Sequence, residues 1–267
     1  MFPTLAPAML CAELQDGTIV LGESSIPLRS NPDPIRRVFL ARRDDPEPSP
    51  EHPPDLSPMP EALQAIDEAD AIVLGPGSLY SSVISNLLVP EIAAAVRQAR
   101  APKFYVANLM IEPGETDGHS LGDHVDAIRR HGGIEVDWAI VNRTPIDPRS
   151  ARRYAIERIE REIDVIRRAL DEAGAHGAET LGPRALAQRV ARMHTLLDGI
   201  SDPSADRGQV LHRDGDPGLG RTRVLEVDAL KQEDWPEQEA VKRVLRHDAG
   251  RLIEAILGVL AEARRPA

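Results

Sequence analysis

The chain has 267 residues and carries 32 basic against 43 acidic side chains, a formal net charge of −11. A polyanion would meet long-range repulsion, and 3% aromatic residues leave few rings for base stacking, so nucleic acid is excluded as a bulk partner. No window approaches the roughly 20 apolar residues of a membrane span; the amino-terminal MFPTLAPAMLCAELQDG has no basic stretch ahead of its apolar run, and the lone Cys11 cannot form an intrachain disulfide, so a cytoplasmic protein is expected.

AMLCAEL and TIVLGES, joined by Gln15-Asp16-Gly17, predict a β-hairpin, and IRRVFLA at residues 35–41 predicts a third strand. Residues 43–60 are too rich in proline and charge for a helix or a central strand and read as an exposed connection. The period then changes. PEALQAIDEA, VPEIAAAVRQAR and SLGDHVDAIRRH predict helices, alternating with strands at ADAIVLG, KFYVANLM and DWAIVN. This alternation indicates βαβ units, hence an α/β fold whose parallel sheet is covered on both faces and binds ligands at the carboxyl ends of its strands.

Beyond residue 148, Ile156, Ile159, Ile163, Ile166 and Leu170 recur at helical spacing as far as Gly174. A second helix with Pro183 in its first turn carries Leu186, Val190, Met193 and Leu197 on one face. The pair reads as an αα-hairpin whose apolar faces either pack on the sheet or serve, across residues 150–200, as a homodimer or partner-protein surface. Residues 201–221 read as a loop, TRVLEVDAL as a strand, and Pro236 to Ala263 as a long terminal helix.

Three stretches carry candidate chemistry. In ADAIVLGPGSLYSSVISN a buried strand runs into Gly75-Pro76-Gly77-Ser78, where glycines let the backbone approach an oxyanion, the following helix offers free N–H groups, and Ser78, Ser81 and Ser82 add donors. A structural strand-to-helix turn has the same pattern, whereas a Walker A loop and a nucleophile elbow are excluded by the missing lysine and the wrong glycine spacing. The second stretch, NLMIEPGETDGHSLGDHV, gathers Glu115, Asp117, His119, Asp123 and His124 in one turn, with Ser120 and Asp123 spaced as a capping box. Carboxylates and imidazoles make a divalent-metal site conceivable, but His119 and His124 are five apart rather than the four that aligns ligands on one helical face, which favours turn and cap chemistry or hydrogen bonding to a ligand. The third is LRHDAGRL, placed in the last helix, where Arg246 offers either a fork for a diphosphate or a surface salt bridge. On its pattern alone, Tyr154 is a core or boundary residue.

LCAELQDGTIVLGESSIP, ADAIVLGPGSLYSSVISNLLVPEIAAAV, NLMIEPGETDGHSLGDHV and VLRHDAGRL, in that order, resemble the gluconeogenesis-factor (YvcK) branch of the family that also contains 2-phospho-L-lactate transferase (CofD-like). The resemblance is almost continuous from residue 1 to about 157 and resumes near 224. It implies a Rossmann-like, mostly parallel sheet and a bacterial cytoplasmic protein needed for cell shape and cell-wall integrity during gluconeogenic growth. It also implies a nucleotide-sugar ligand such as UDP-N-acetylglucosamine, with no established catalytic activity; no metal ligands are assigned. By position, Tyr154 and Arg246 match residues associated with nucleotide-sugar binding. Gly75, Gly77, Ser78, Ser81 and Ser82, together with Gly114, Glu115, Thr116 and Asp117, fall in shared motifs of the cleft. The transferase branch instead moves a phospholactyl group onto a deazaflavin precursor, and that activity is the alternative, with an incomplete scaffold fragment as a third. The family opens with GGGTG and DDGGSSG segments that this sequence lacks, so a chain without the amino-terminal half is expected. Residues 1–157 then form the carboxyl-terminal portion of the α/β domain, 158–222 a helical insertion with its loop, and 223–267 a strand and helix that complete the domain.

Overall fold

Alternation of period two builds the first layer. Strand β1 (Ala8–Leu14) sends Leu10, Ala12 and Leu14 into the main core, while Cys11 packs with Phe39 and Ala41 on the other face. It pairs antiparallel with β2 (Ile19–Leu21), where Cys11 lies opposite Leu21, and with β3 (Ile35–Arg42), where Cys11 lies opposite Phe39. The expected hairpin turn is present, with Gly17 at φ 88°. In this computed structural model the described residues are 7–147 apart from 28, 30, 32 and 113, individual helical positions between 150 and 194, and residues 208–236 and 241–263.

The proline-rich connection has no regular structure before Pro60, as its composition predicts, but it is anchored rather than simply exposed. Leu56 is buried in the main core, and Glu51 pairs with Arg37 at 2.9 Å. Next come α1 (Pro60–Asp67) and β4 (Ile72–Leu74), then a turn and a π-helical segment, Leu79–Ile84, that runs into α2 (Ser85–Leu87). Both α1 and α3 (Pro90–Gln98) begin on proline, which lacks only an N–H that the first turn cannot use. They are followed by β5 (Lys103–Val106), α4 (Leu121–Gly132), β6 (Trp138–Asn142) and β7 (Arg223–Val227). The strands form one parallel sheet in the order β4-β5-β6-β7.

Both faces of this sheet are covered, as the expected α/β architecture requires. Tyr105, Ala139 and Val141 join the main core with residues of α3 and α4, whereas Phe104, Val106 and Ile140 pack against Leu252 and its neighbours on the terminal helix. The capping box closes in both directions: Ser120 Oγ accepts the Asp123 N–H at 3.1 Å, and Asp123 Oδ2 accepts the Ser120 N–H at 2.8 Å. Gly133, at φ 64°, ends the helix.

The carboxyl-terminal reading needs correction. The long helix expected from Pro236 begins only at Ala249, and the preceding residues form an antiparallel pair, β8 (Leu230–Pro236) with β9 (Val241–His247). Asp248 supplies the start signal of helix α5 (Ala249–Ala263), its Oδ1 accepting the Arg251 N–H at 3.2 Å. Ile156, Ile159, Ile163 and Ile166 are helical as predicted, and Ile156 and Ile163 are exposed. Val190 and Met193 of the second predicted helix are helical as well, with Val190 exposed, whereas Leu170, Pro183, Leu186 and Leu197 lie outside the described residues. Among the described residues no single helix is long and apolar enough to cross a membrane.

Candidate functional site at the carboxyl edge of the parallel sheet

The loops that follow β4 and β5 meet at one edge. Gly75 sits at φ 85°, and a Cβ there would lie 2.8 Å from the Val106 carbonyl at the end of β5, so only glycine lets the two strand ends approach this closely. The turn is then tied to the neighbouring loop: the Gly77 N–H donates to Asn108 Oδ1 at 3.1 Å, the Ser78 hydroxyl to Glu112 Oε1 at 2.7 Å, and the Leu79 N–H to Glu112 Oε2 at 3.3 Å. Side chains of the chain itself therefore occupy donors that the sequence offered to an external anion: the Glu112 carboxylate takes the Ser78 hydroxyl and the Leu79 amide, and the Asn108 side-chain oxygen takes the Gly77 amide. This is favourable because a helix amino terminus carries partial positive charge.

The second loop is locked from within. Thr116 is buried, its hydroxyl accepting the Glu112 N–H at 2.8 Å, and Asp117 Oδ2 accepts the Gly114 N–H at 2.6 Å. Gly114, at φ 81°, presses against Pro27, and its carbonyl accepts a hydrogen bond from Arg29, whose guanidinium also reaches the Ile26 and Asp33 carbonyls. Glu115 is 8% exposed, and its Oε2 has no hydrogen-bond partner among the described residues. Burial pushes its carboxyl up to about 7, the Glu112 charge adds to the rise, and the Tyr80 backbone N–H partly offsets it.

Behind the loops lies a buried imidazole and phenol cluster. Tyr105 is hydrogen-bonded to His124 Nδ1 at 2.7 Å and Tyr80 to His119 Nε2 at 3.1 Å, while the His119 and His124 rings meet edge to face at 5.8 Å. Burial drives His124 down to about 4, with His119 adding to the fall, so it is neutral in the folded protein near neutral pH. Tyr80 is pushed up to about 12 by burial. At the same edge, His247 at the end of β9 donates from Nε2 to the Ala107 carbonyl at 3.0 Å, and Asn142 at the end of β6 accepts the Ala229 N–H at 3.1 Å. The β8–β9 pair is thereby fastened beside the two loops.

Comparison with known proteins decides the family. Residues 2–180 match the model of the 2-phospho-L-lactate transferase CofD family. The chain belongs to the CofD family. Within it, the chain is 46% identical over 153 residues to the gluconeogenesis factor of Halalkalibacterium halodurans and 41% identical over 153 residues to that of Bacillus subtilis, covering 57% of this chain and 44% of each relative. The matched part of the chain therefore spans less than half the length of these relatives. A crystal structure of a UPF0052 family protein from Bacillus halodurans superposes with a TM-score of 0.62 at 32% identity, over 94% of this chain and 59% of the other.

The CofD-type edge brings together Gly75, Gly77 and Ser78 with Gly114, Glu115, Thr116 and Asp117. Ser81 is half-buried and Ser82 exposed on the segment that follows the turn. Arg246 lies on β9 rather than in a helix; it is exposed, with Glu233 Oε2 3.5 Å from its Nε. Tyr154 lies outside the described residues. Sequence reasoning passed over Asn108, Glu112, Arg29 and His247 as site residues. Asn108 and Glu112 sit within the recognised NLMIEPGETDG stretch, and their placement directly after a predicted strand was the available signal.

Proposed function

We propose that this chain is a gluconeogenesis-factor-type protein of the bacterial cytoplasm that binds a nucleotide sugar, such as UDP-N-acetylglucosamine, in the service of cell shape and cell-wall integrity. Supporting the reading are the identity to gluconeogenesis factors and one geometric observation: the Gly75–Ser78 turn, the Gly114–Asp117 loop and the β8–β9 pair bearing Arg246 are fastened at one sheet edge. Strand carboxyl ends are where such sheets take ligands. In this reading Arg246 holds the diphosphate, Ser81 and Ser82 donate to it, and Glu112 leaves the Ser78 hydroxyl and the Leu79 amide when the anion arrives. Calorimetric titration of UDP-N-acetylglucosamine into the chain, alone and mixed with the amino-terminal half of the Bacillus subtilis relative, tests it. Saturable heat in either arm is the expected result, with Arg246→Ala weakening it by about 1.5–3 kcal/mol. Silence in both arms overturns the reading.

The family-model match favours one alternative, a transferase of the 2-phospho-L-lactate type. Turnover of a deazaflavin acceptor and a guanylated phospholactyl donor by the same preparations would replace the binding reading with that one.

A further inference from the structure

The opposite edge of the sheet carries a second concavity. The amino ends of β5, β6 and β7 open onto a cavity of about 790 Å³, into which four arginines converge from separate parts of the chain. Arg100 follows α3, Arg129 stands in the last turn of α4, Arg221 precedes β7, and Arg223 is its first residue. Two carboxylates, Glu135 and Asp137, share the cavity. In a chain of net charge −11 this is a local inversion of sign.

The walls are fixed by hydrogen bonds. The Thr222 hydroxyl donates to the Val136 carbonyl at 2.8 Å and the Arg223 N–H to the Asp137 carbonyl at 3.0 Å, stapling the approach to β7 against the approach to β6. Gly220, at φ 58°, lets that loop close over Arg129, because a Cβ there would stand 3.3 Å from Nη1. Asp137 is already engaged, one carboxylate oxygen accepting the Lys103 N–H at 2.8 Å. Arg129 is paired with Asp126, and the Arg223 guanidinium lies over the Trp138 ring, 5.1 Å from its centroid. Arg100 and Arg221 are exposed and make no ion pair or side-chain hydrogen bond among the described residues. Their guanidinium forks thus remain available beside two further cations. Guanidinium forks match phosphate oxygens bidentately, and a small anion that neutralises converging arginines relieves their mutual repulsion.

We propose that this amino-edge cavity is a binding site for a small phosphate-bearing anion, with Arg100 and Arg221 as its direct donors, separate from the nucleotide-sugar reading of the carboxyl edge. The two tryptophans of the chain are Trp138 and Trp235, so a Trp235→Phe protein reports on the cavity wall through Trp138 fluorescence. The probes are inorganic pyrophosphate and glucose 1-phosphate, with citrate as the non-phosphate polyanion. The expected result is a saturable fluorescence change with pyrophosphate below about 10 mM, and a loss of about tenfold or more in affinity for each of Arg100→Ala and Arg221→Ala. Arg→Lys at either position should give an intermediate loss, and Arg246→Ala at the other edge none. A stronger response to glucose 1-phosphate than to pyrophosphate would assign the site to phosphate esters, and the reverse to inorganic phosphates. Three results overturn the proposal: no saturable change with either phosphate, unaltered affinity in the Arg100→Ala/Arg221→Ala double variant, or tighter binding of citrate than of both phosphates. Both arginines are exposed, so their variants should fold, and circular dichroism matching the parent protein checks that they do.

Discussion

Glu115 and His124 are buried titratable groups about ten residues apart in the same loop and helix, and they pull stability in opposite directions with pH. The Glu115 carboxyl is raised from 4.5 to about 7 in the folded protein, so its contribution is complete below about 4.5 and is lost as pH rises through 7. His124 is lowered from 6.5 to about 4, so its contribution is complete above about 6.5 and is lost as pH falls through 4. Each slope is at most about 1.4 kcal/mol per pH unit, and between about 4.5 and 6.5 they largely cancel. Glu115→Gln removes one of them. Urea unfolding should show the variant gaining roughly 2–3 kcal/mol on the wild type between about pH 4.5 and pH 8, and a gap that stays constant over that range would refute the assignment. The environment that creates these shifts could not be read from the residues themselves. His124 was visible as a helical histidine, but its partner Tyr105 lies on a neighbouring strand, and Glu112 meets Ser78 across 34 positions of sequence.

At the scale of elements, local signals with short range were legible and long-range pairing was not. Ser120 and Asp123 announced the start of α4 because a capping box needs only four consecutive residues. The β8–β9 pair escaped notice because EQEAVKRVL is composed of helix formers. Its strand character comes from seven cross-strand pairs, from Leu230 opposite His247 to Pro236 opposite Val241, and no local window contains both partners. A second long-range contact was equally invisible: the short 3₁₀ turn at Pro217–Leu219 docks on the first turn of α4, with the Gly122 N–H donating to Asp216 Oδ2 at 2.7 Å. There a Cβ on Gly218 would stand 2.4 Å from the Gly122 backbone, which has no flexible end to move aside. Gly218→Ala should therefore cost at least about 2 kcal/mol and lower Tm by about 4–8 °C in a thermal melt. An unchanged Tm would mean that this docking contributes nothing to stability.

For the whole molecule, the consequential feature is a parallel sheet that ends on β4. Among the described residues β4 pairs only with β5, Val73 is 44% exposed, and Ile253 and Leu257 stand 56% and 57% exposed on the outer side of α5. Open edges and apolar stripes promote association. Light scattering over a concentration series should show the chain self-associating, and Val73→Lys combined with Leu257→Lys should suppress this; a monomer at every concentration would contradict it. The sequence by itself determined the α/β class, the strand–helix alternation, the family and the two loops of the carboxyl edge. Those are properties of periodicity and of contiguous motifs, which a linear chain displays. Only the tertiary structure decided that Glu112 takes the Ser78 hydroxyl and the Leu79 amide, that Arg246 rides on a strand, and that Arg100, Arg129, Arg221 and Arg223 surround one cavity. Each joins residues far apart in the chain, and their proximity is created by packing rather than by spacing.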